Sequence, residues 1–100
     1  MSNVRVEAEG QEYELRFEPV RTSLSDSAPM LWGLQVFVLK DGQEVGMKTC
    51  FVGRASLQFR HKEALEGTSE DLMPAVHELA TEKIVARLAE GHPEDEILFA

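Results

Sequence analysis

Cysteine occurs once in these 100 residues, at Cys50, so no intramolecular disulfide can form and no Cys/His cluster with zinc spacing is present. A reducing compartment is the expectation. Long apolar runs are also missing: no window approaches the roughly 20 residues that a membrane span needs. The opening Met1-Ser2-Asn3-Val4-Arg5 has neither the basic start nor the apolar stretch of a signal peptide, so the sequence reads as cytoplasmic. Positive charge is scarce, with 10 Lys and Arg against 18 Asp and Glu, for a net charge of −8. From Thr68 onward there are eight acids and two bases, and the first eighteen residues hold five acids and two bases. Both ends therefore repel phosphate and anionic membranes. No G-x-S-x-G, Walker-type or dinucleotide glycine pattern occurs, which leaves nucleophile elbows, phosphate cradles and bound cofactors without support. There is no low-complexity segment.

What is present is enough for one core. A 100-residue chain with 43% apolar and 28% charged residues has the make-up of a single globular domain. Its expected net stability is roughly 5 to 10 kcal/mol, which leaves little margin for an exposed sheet face. The strongest local signal is Asp41-Gly42, a two-residue turn between two apolar-rich runs, which predicts a hairpin over 31–52. Pairing outward from Lys40 opposite Gln43 puts Trp32, Leu34, Val36 and Val38 with Val45, Met47, Thr49 and Phe51 on one face, read as core. Leu31, Gly33, Gln35, Phe37 and Leu39 then share the other face with Glu44, Gly46, Lys48, Cys50 and Val52. In that register Phe37 lies over Gly46, a known way to shield a glycine in a sheet.

A second hairpin is predicted over 3–18, where Val4, Val6 and Ala8 alternate against Tyr13, Leu15 and Phe17. A Glu9-Gly10 turn sets Arg5 opposite Glu14 and is preferred to the register that opposes Arg5 to Arg16, because like charges across strands repel. A long loop follows over 19–30, bracketed by prolines and carrying Ser23, Ser25, Asp26 and Ser27. The segment 54–66 reads two ways. Ala55, Leu57, Phe59 and His61 alternate as a strand does, yet Leu57, His61, Ala64 and Leu65 fall on one helical face; a strand leading into a helical turn is favoured. Thr68 to Asp71 is rich in N-cap residues, and Pro74 is tolerated in a first turn, so a helix is predicted over 71–90 with Gly91 as its cap. Its stripe is Met73, Val76, Ala80, Ile84 and Leu88. Residues 97–100 form an apolar tail. The expected fold is α+β: an antiparallel sheet of four or five strands, built from the two hairpins and a possible fifth strand, with one long C-terminal helix across one face.

Function is less legible than fold. Leu31, Phe37, Leu39, Cys50 and Val52, on the second hairpin face, are the candidate interaction surface for a protein partner or a second copy in a homodimer. Arg54, Arg60 and Lys62, near Phe59, resemble in residue type the surface of a single-strand nucleic-acid binder; the charge of −8 opposes that alternative. His61, Glu63 and His77 could serve an enzyme or a metal only if they converged, and neither His-x-Glu nor an isolated helical His has the spacing of a metal motif. Cys50 facing Gly33 reads as a small hydrophobe, not a nucleophile.

Overall fold

The computed structural model describes residues 3–22, 31–67, 69–91 and 95–100, so Ser23, Ser25, Asp26, Ser27 and the Thr68 part of the expected N-cap run lie outside the described residues. The first hairpin pairs β1 (Val4–Ala8) with β2 (Gln11–Phe17). Its Glu9-Gly10 turn has positive φ at both residues (54° and 73°), the geometry that lets a two-residue loop follow strand twist. Arg5 opposes Glu14, as the charge pattern predicts, and the register accepts Glu7 opposite Glu12 as its cost. Glu18 still donates its amide to the Gln35 carbonyl, but Pro19 has no amide to give. The strand resumes as the short β3 (Arg21–Thr22), which continues the line of β2 along β4 (Leu31–Lys40).

β4 turns through Asp41-Gly42 into β5 (Gln43–Gly53), and Lys40 opposes Gln43 as expected. The next expected pair, Leu39 with Glu44, also forms, and the expected register fails beyond it. Val38 opposes Gly46, so Val45 is an extra residue in a β-bulge. Because side chains alternate with period two, one inserted residue sends the rest of β5 to the opposite face. Met47 and Phe51 leave the core, whereas Lys48, Cys50 and Val52 enter it, exposed at 2%, 0% and 0%. The β4 half of the prediction holds: Trp32, Leu34, Val36 and Val38 are all buried.

The segment 54–66 forms two short helices, α1 (Arg54–Arg60) and α2 (Lys62–Glu66), broken at His61, which corrects the expected strand. Leu57 is fully buried while Phe59 is 90% exposed, a contrast incompatible with both lying on one buried strand face. Helix α3 (Ser69–Ala89) begins two residues before the predicted start, so Pro74 lies beyond its first turn and cannot donate to the carbonyl four residues back. Gly91, at φ 71°, closes the helix by donating to the Leu88 carbonyl. The apolar tail is itself a strand, β6 (Asp95–Phe99), parallel to β5. The helix is therefore not the last element. A parallel neighbour requires a crossover, and the three helices between β5 and β6 supply it.

The sheet order is β1-β2-β4-β5-β6. On one face Leu15, Phe17, Val36, Val38, Cys50 and Leu98 join Leu57 of α1 and Ala75, Val76, Leu79, Ala80 and Ile84 of α3 in the core. Met73 and Leu88 complete the predicted stripe as partly buried flanks.

Candidate interaction surface

All three helices lie on the core side of the sheet, so the opposite face is uncovered among the described residues. The register places its side chains in rows. Arg16, Phe37 and Met47 form one; Gln35, Thr49 and Ile97 the next; Arg21, Gly33, Phe51 and Phe99 a third; and Leu31 lies beside Gly53. From β1 to β2 this face is charged, with Arg5, Glu7, Glu12, Glu14 and Arg16. Toward β6 it becomes apolar.

Phe51 anchors the apolar part. A Cβ on Gly33 would lie 3.1 Å from the Phe51 ring, so glycine there lets that ring lean over β4 without being pushed aside. On its other side Phe51 stacks with Phe99, ring centroids 5.6 Å apart at 22°. The glycine shielded by an aromatic is thus Gly33 under Phe51, not Gly46 under Phe37, a direct result of the bulge. Leu31, Ile97 and Phe99 remain 40%, 62% and 67% exposed. Between Leu31, Arg21, Gly33 and Phe51 the surface is concave.

Of the candidate face, Leu31, Phe37 and Leu39 do lie on this surface. Phe37 and Leu39 are half-buried, and the Arg16 guanidinium sits 4.7 Å from the Phe37 ring centroid. Cys50 and Val52 do not belong to it: both are in the core, and burial pushes the Cys50 thiol up to about 11, which keeps it protonated. The residues that replace them are Phe51, Ile97 and Phe99. For the last two the period-two pattern Glu96-Ile97-Leu98-Phe99 was a usable strand signal; for Phe51 no local signal marks the bulge.

Comparisons with known proteins return nothing: no family model, no curated protein and no solved structure matches this chain. Its site must be judged on its own chemistry.

The basic cluster is dispersed. On a helix, Arg54 and Arg60 project about 120° apart. Arg60 is held by Glu82 of α3 through two contacts, Nη2 to Oε1 at 3.0 Å and a closer Nη1 to Oε2. That bidentate pairing raises the Arg60 pKa and lowers that of Glu82. Lys62 and Phe59 are exposed beside it.

The histidines go separate ways. His61 Nε2 lies 3.0 Å from Glu78 Oε2 without hydrogen-bond alignment, whereas His77 stacks on Phe17 with centroids 4.6 Å apart. Burial against that ring lowers the His77 pKa. Glu63 is exposed and shares a shallow hollow with His61 that His77 does not line. Among the described residues no three His, Cys, Asp or Glu side chains group as metal ligands, and no helix is long and apolar enough to cross a membrane.

Among the described residues one charged side chain, Lys48, is buried. Lys48, turned inward by the bulge, places Nζ 3.3 Å from Glu96 Oε2, and the other Glu96 oxygen accepts from Arg87 Nη2. Arg87 also reaches Glu90 at 3.1 Å. The Arg87 hydrogen bond, with that from Lys48, holds the Glu96 carboxyl below its usual range. These three side chains tie β5, β6 and α3 together.

Proposed function

We propose that this chain is a small, non-catalytic cytosolic protein-interaction module that self-associates as a homodimer through the outer surface of β4, β5 and β6. One observation carries the reading: exposed Leu31, Ile97 and Phe99 join half-buried Phe51 in a contiguous apolar surface on a domain whose other sheet face is filled by helices. Single exposed apolar residues are ordinary, but a joined group with stacked aromatics is what interfaces bury. The remainder of the same face is charged, which confines the contact to one side.

Neither alternative gains an observation of this kind. The Arg54, Arg60 and Lys62 cluster has one member committed to Glu82, and His61, Glu63 and His77 do not line one hollow.

Analytical ultracentrifugation of the full chain tests the reading. A dimer is expected that weakens at least tenfold on Phe51→Lys or Phe99→Lys, because a buried lysine without a partner is costly. Added salt should tighten it, since two copies of charge −8 repel. Nucleic-acid binding would show the opposite salt response. A monomer across the accessible concentration range would refute self-association.

A further inference from the structure

The backbone of β6 narrows where self-association occurs. Ala100 donates its amide to the Phe51 carbonyl at 2.8 Å and accepts from the Gly53 amide at 2.9 Å, so both of its backbone groups point toward β5. In a parallel ladder this orientation alternates. Leu98 and Glu96 therefore also face β5, while the N–H and C=O of Asp95, Ile97 and Phe99 point away from the sheet. β6 is the last strand, and no described element lies beyond it. The residues that own these free groups include Ile97 and Phe99, two of the most exposed large apolar side chains. Natural edge strands are usually blunted at such positions by charge or proline.

We propose that β6 is the self-pairing edge: two copies align their β6 strands antiparallel about a twofold axis at Ile97, joining two sheets into one. The inference rests on the self-association reading above and specifies its geometry. Pairing Ile97 with Ile97 uses every outward group from Asp95 to Phe99, about six hydrogen bonds for three hydrogen-bonded pairs. It opposes Asp95 to Phe99 and Glu96 to Leu98, so no like charges meet within the five-residue strand. Sliding the strands by two residues leaves outward groups of each copy unpaired. The same axis makes the two Phe51-Phe99-Ile97 patches continuous across the joint. The strand offered is also preset: Leu98 is 4% exposed in the core, and Glu96 is pinned by Lys48 and Arg87. The closed twofold arrangement consumes the edge and stops at two copies.

Ile97→Pro separates this geometry from docking through the face. Proline removes an amide that β5 does not use and keeps an apolar side chain, so the β5–β6 ladder survives. Each dimer loses both bonds of the central pair, and sedimentation equilibrium should show the dissociation constant rising roughly 30- to 100-fold. Wild-type amide exchange gives a readout that needs no variant: the Ile97 and Phe99 amides should gain protection as concentration rises, with Leu98 protected throughout. A dimer that tolerates Ile97→Pro, is lost with Phe51→Lys and leaves the Ile97 amide exchanging freely would overturn edge pairing while keeping self-association. A wild-type monomer would overturn both. A monomer that instead protects Ile97 on adding an extended peptide would assign the edge to another chain and overturn self-pairing.

Discussion

The two edges of this sheet are built on opposite plans. At β1 a two-residue hairpin fixes Ala8 and Gln11 as a hydrogen-bonded pair, so the backbone groups left pointing outward belong to Arg5 and Glu7. Charged side chains therefore stand beside every open position in the middle of that strand, and Arg5 is engaged with Glu12 and Glu14 at 3.5 and 3.9 Å. At β6 the corresponding central positions carry Ile97 and Phe99. The attachments differ as well. β1 is held by its hairpin partner and by apolar inward side chains, while β6 is fastened by a part-buried ion cluster around Lys48 in addition to Leu98. An edge intended for water has its charge outside; the edge proposed for pairing has its charge inside.

Lys48 is where this difference should break most visibly. Lys48→Glu would set a second carboxylate against Glu96 in a site where Lys48 is 2% exposed. A charge buried without compensation, as the new carboxylate would be, costs about 3 to 5 kcal/mol, a large part of the stability of a domain this size. Urea unfolding should show that loss, with exchange at Leu98 rising more than at Val6. Lys48→Met is the control: it keeps the volume and leaves Glu96 with Arg87, so the cost should stay below about 1.5 kcal/mol.

Acid should act in the same direction with a smaller effect. The folded-state pKa of Glu96 is depressed, first by the Arg87 hydrogen bond and then by Lys48. Its stabilisation is therefore complete above the ordinary carboxylate value of 4.5 and is lost as pH falls through the lower folded-state value. Glu82, depressed by Arg60, follows the same sign. His77 contributes earlier: burial lowers its pKa, so stability declines as pH drops below 6.5 toward the folded-state value. Unfolding midpoints across this range should fall in two stages. The lower stage should flatten in Glu96→Gln, and β6 amides should open with acid before β1 amides do.

The contrast between the edges also shows what the sequence could and could not reveal. The β1–β2 register was readable because turn and charge agreed: Glu9-Gly10 and the Arg5-Glu14 opposition point to one pairing. Asp41-Gly42 located the second turn equally well. Its strand was misread after Glu44 because β5 carries good apolar residues on both faces, Met47 and Phe51 on one and Cys50 and Val52 on the other, so alternation alone does not choose between them. The choice is made by distant groups. Lys48 faces inward where Glu96, 48 residues away, receives it. Long-range pairing of that kind leaves no local periodicity. Nor does a five-residue parallel strand added after a helix, which is why Ile97 to Ala100 looked like a tail. Alternation accordingly places Leu31, Phe37 and Leu39 on the helix-free face, where the structure has them, but sends Phe51 to the core and leaves Phe99 in a tail.

The smallest stability effect sharpens the comparison furthest. Arg5→Ile with Glu7→Val gives β1 the chemistry of β6. Both side chains lie on the outer face, Arg5 is 74% exposed, and its ion pairs are of the surface kind, so folding stability should change by less than about 1 kcal/mol in total. The β-branched replacements suit a strand and offset part of that loss. Assembly should respond far more than stability. A copy with one adhesive edge closes into a dimer, whereas a copy with two that differ in sequence has no closing symmetry and adds units without limit. Light scattering of the double variant should therefore report species larger than two copies that increase with concentration. Adding Ile97→Pro should cut that growth back to pairs joined through β1. If the double variant stays dimeric, the charges on β1 are not what keeps that edge in water, and the shortness of the strand must do so instead.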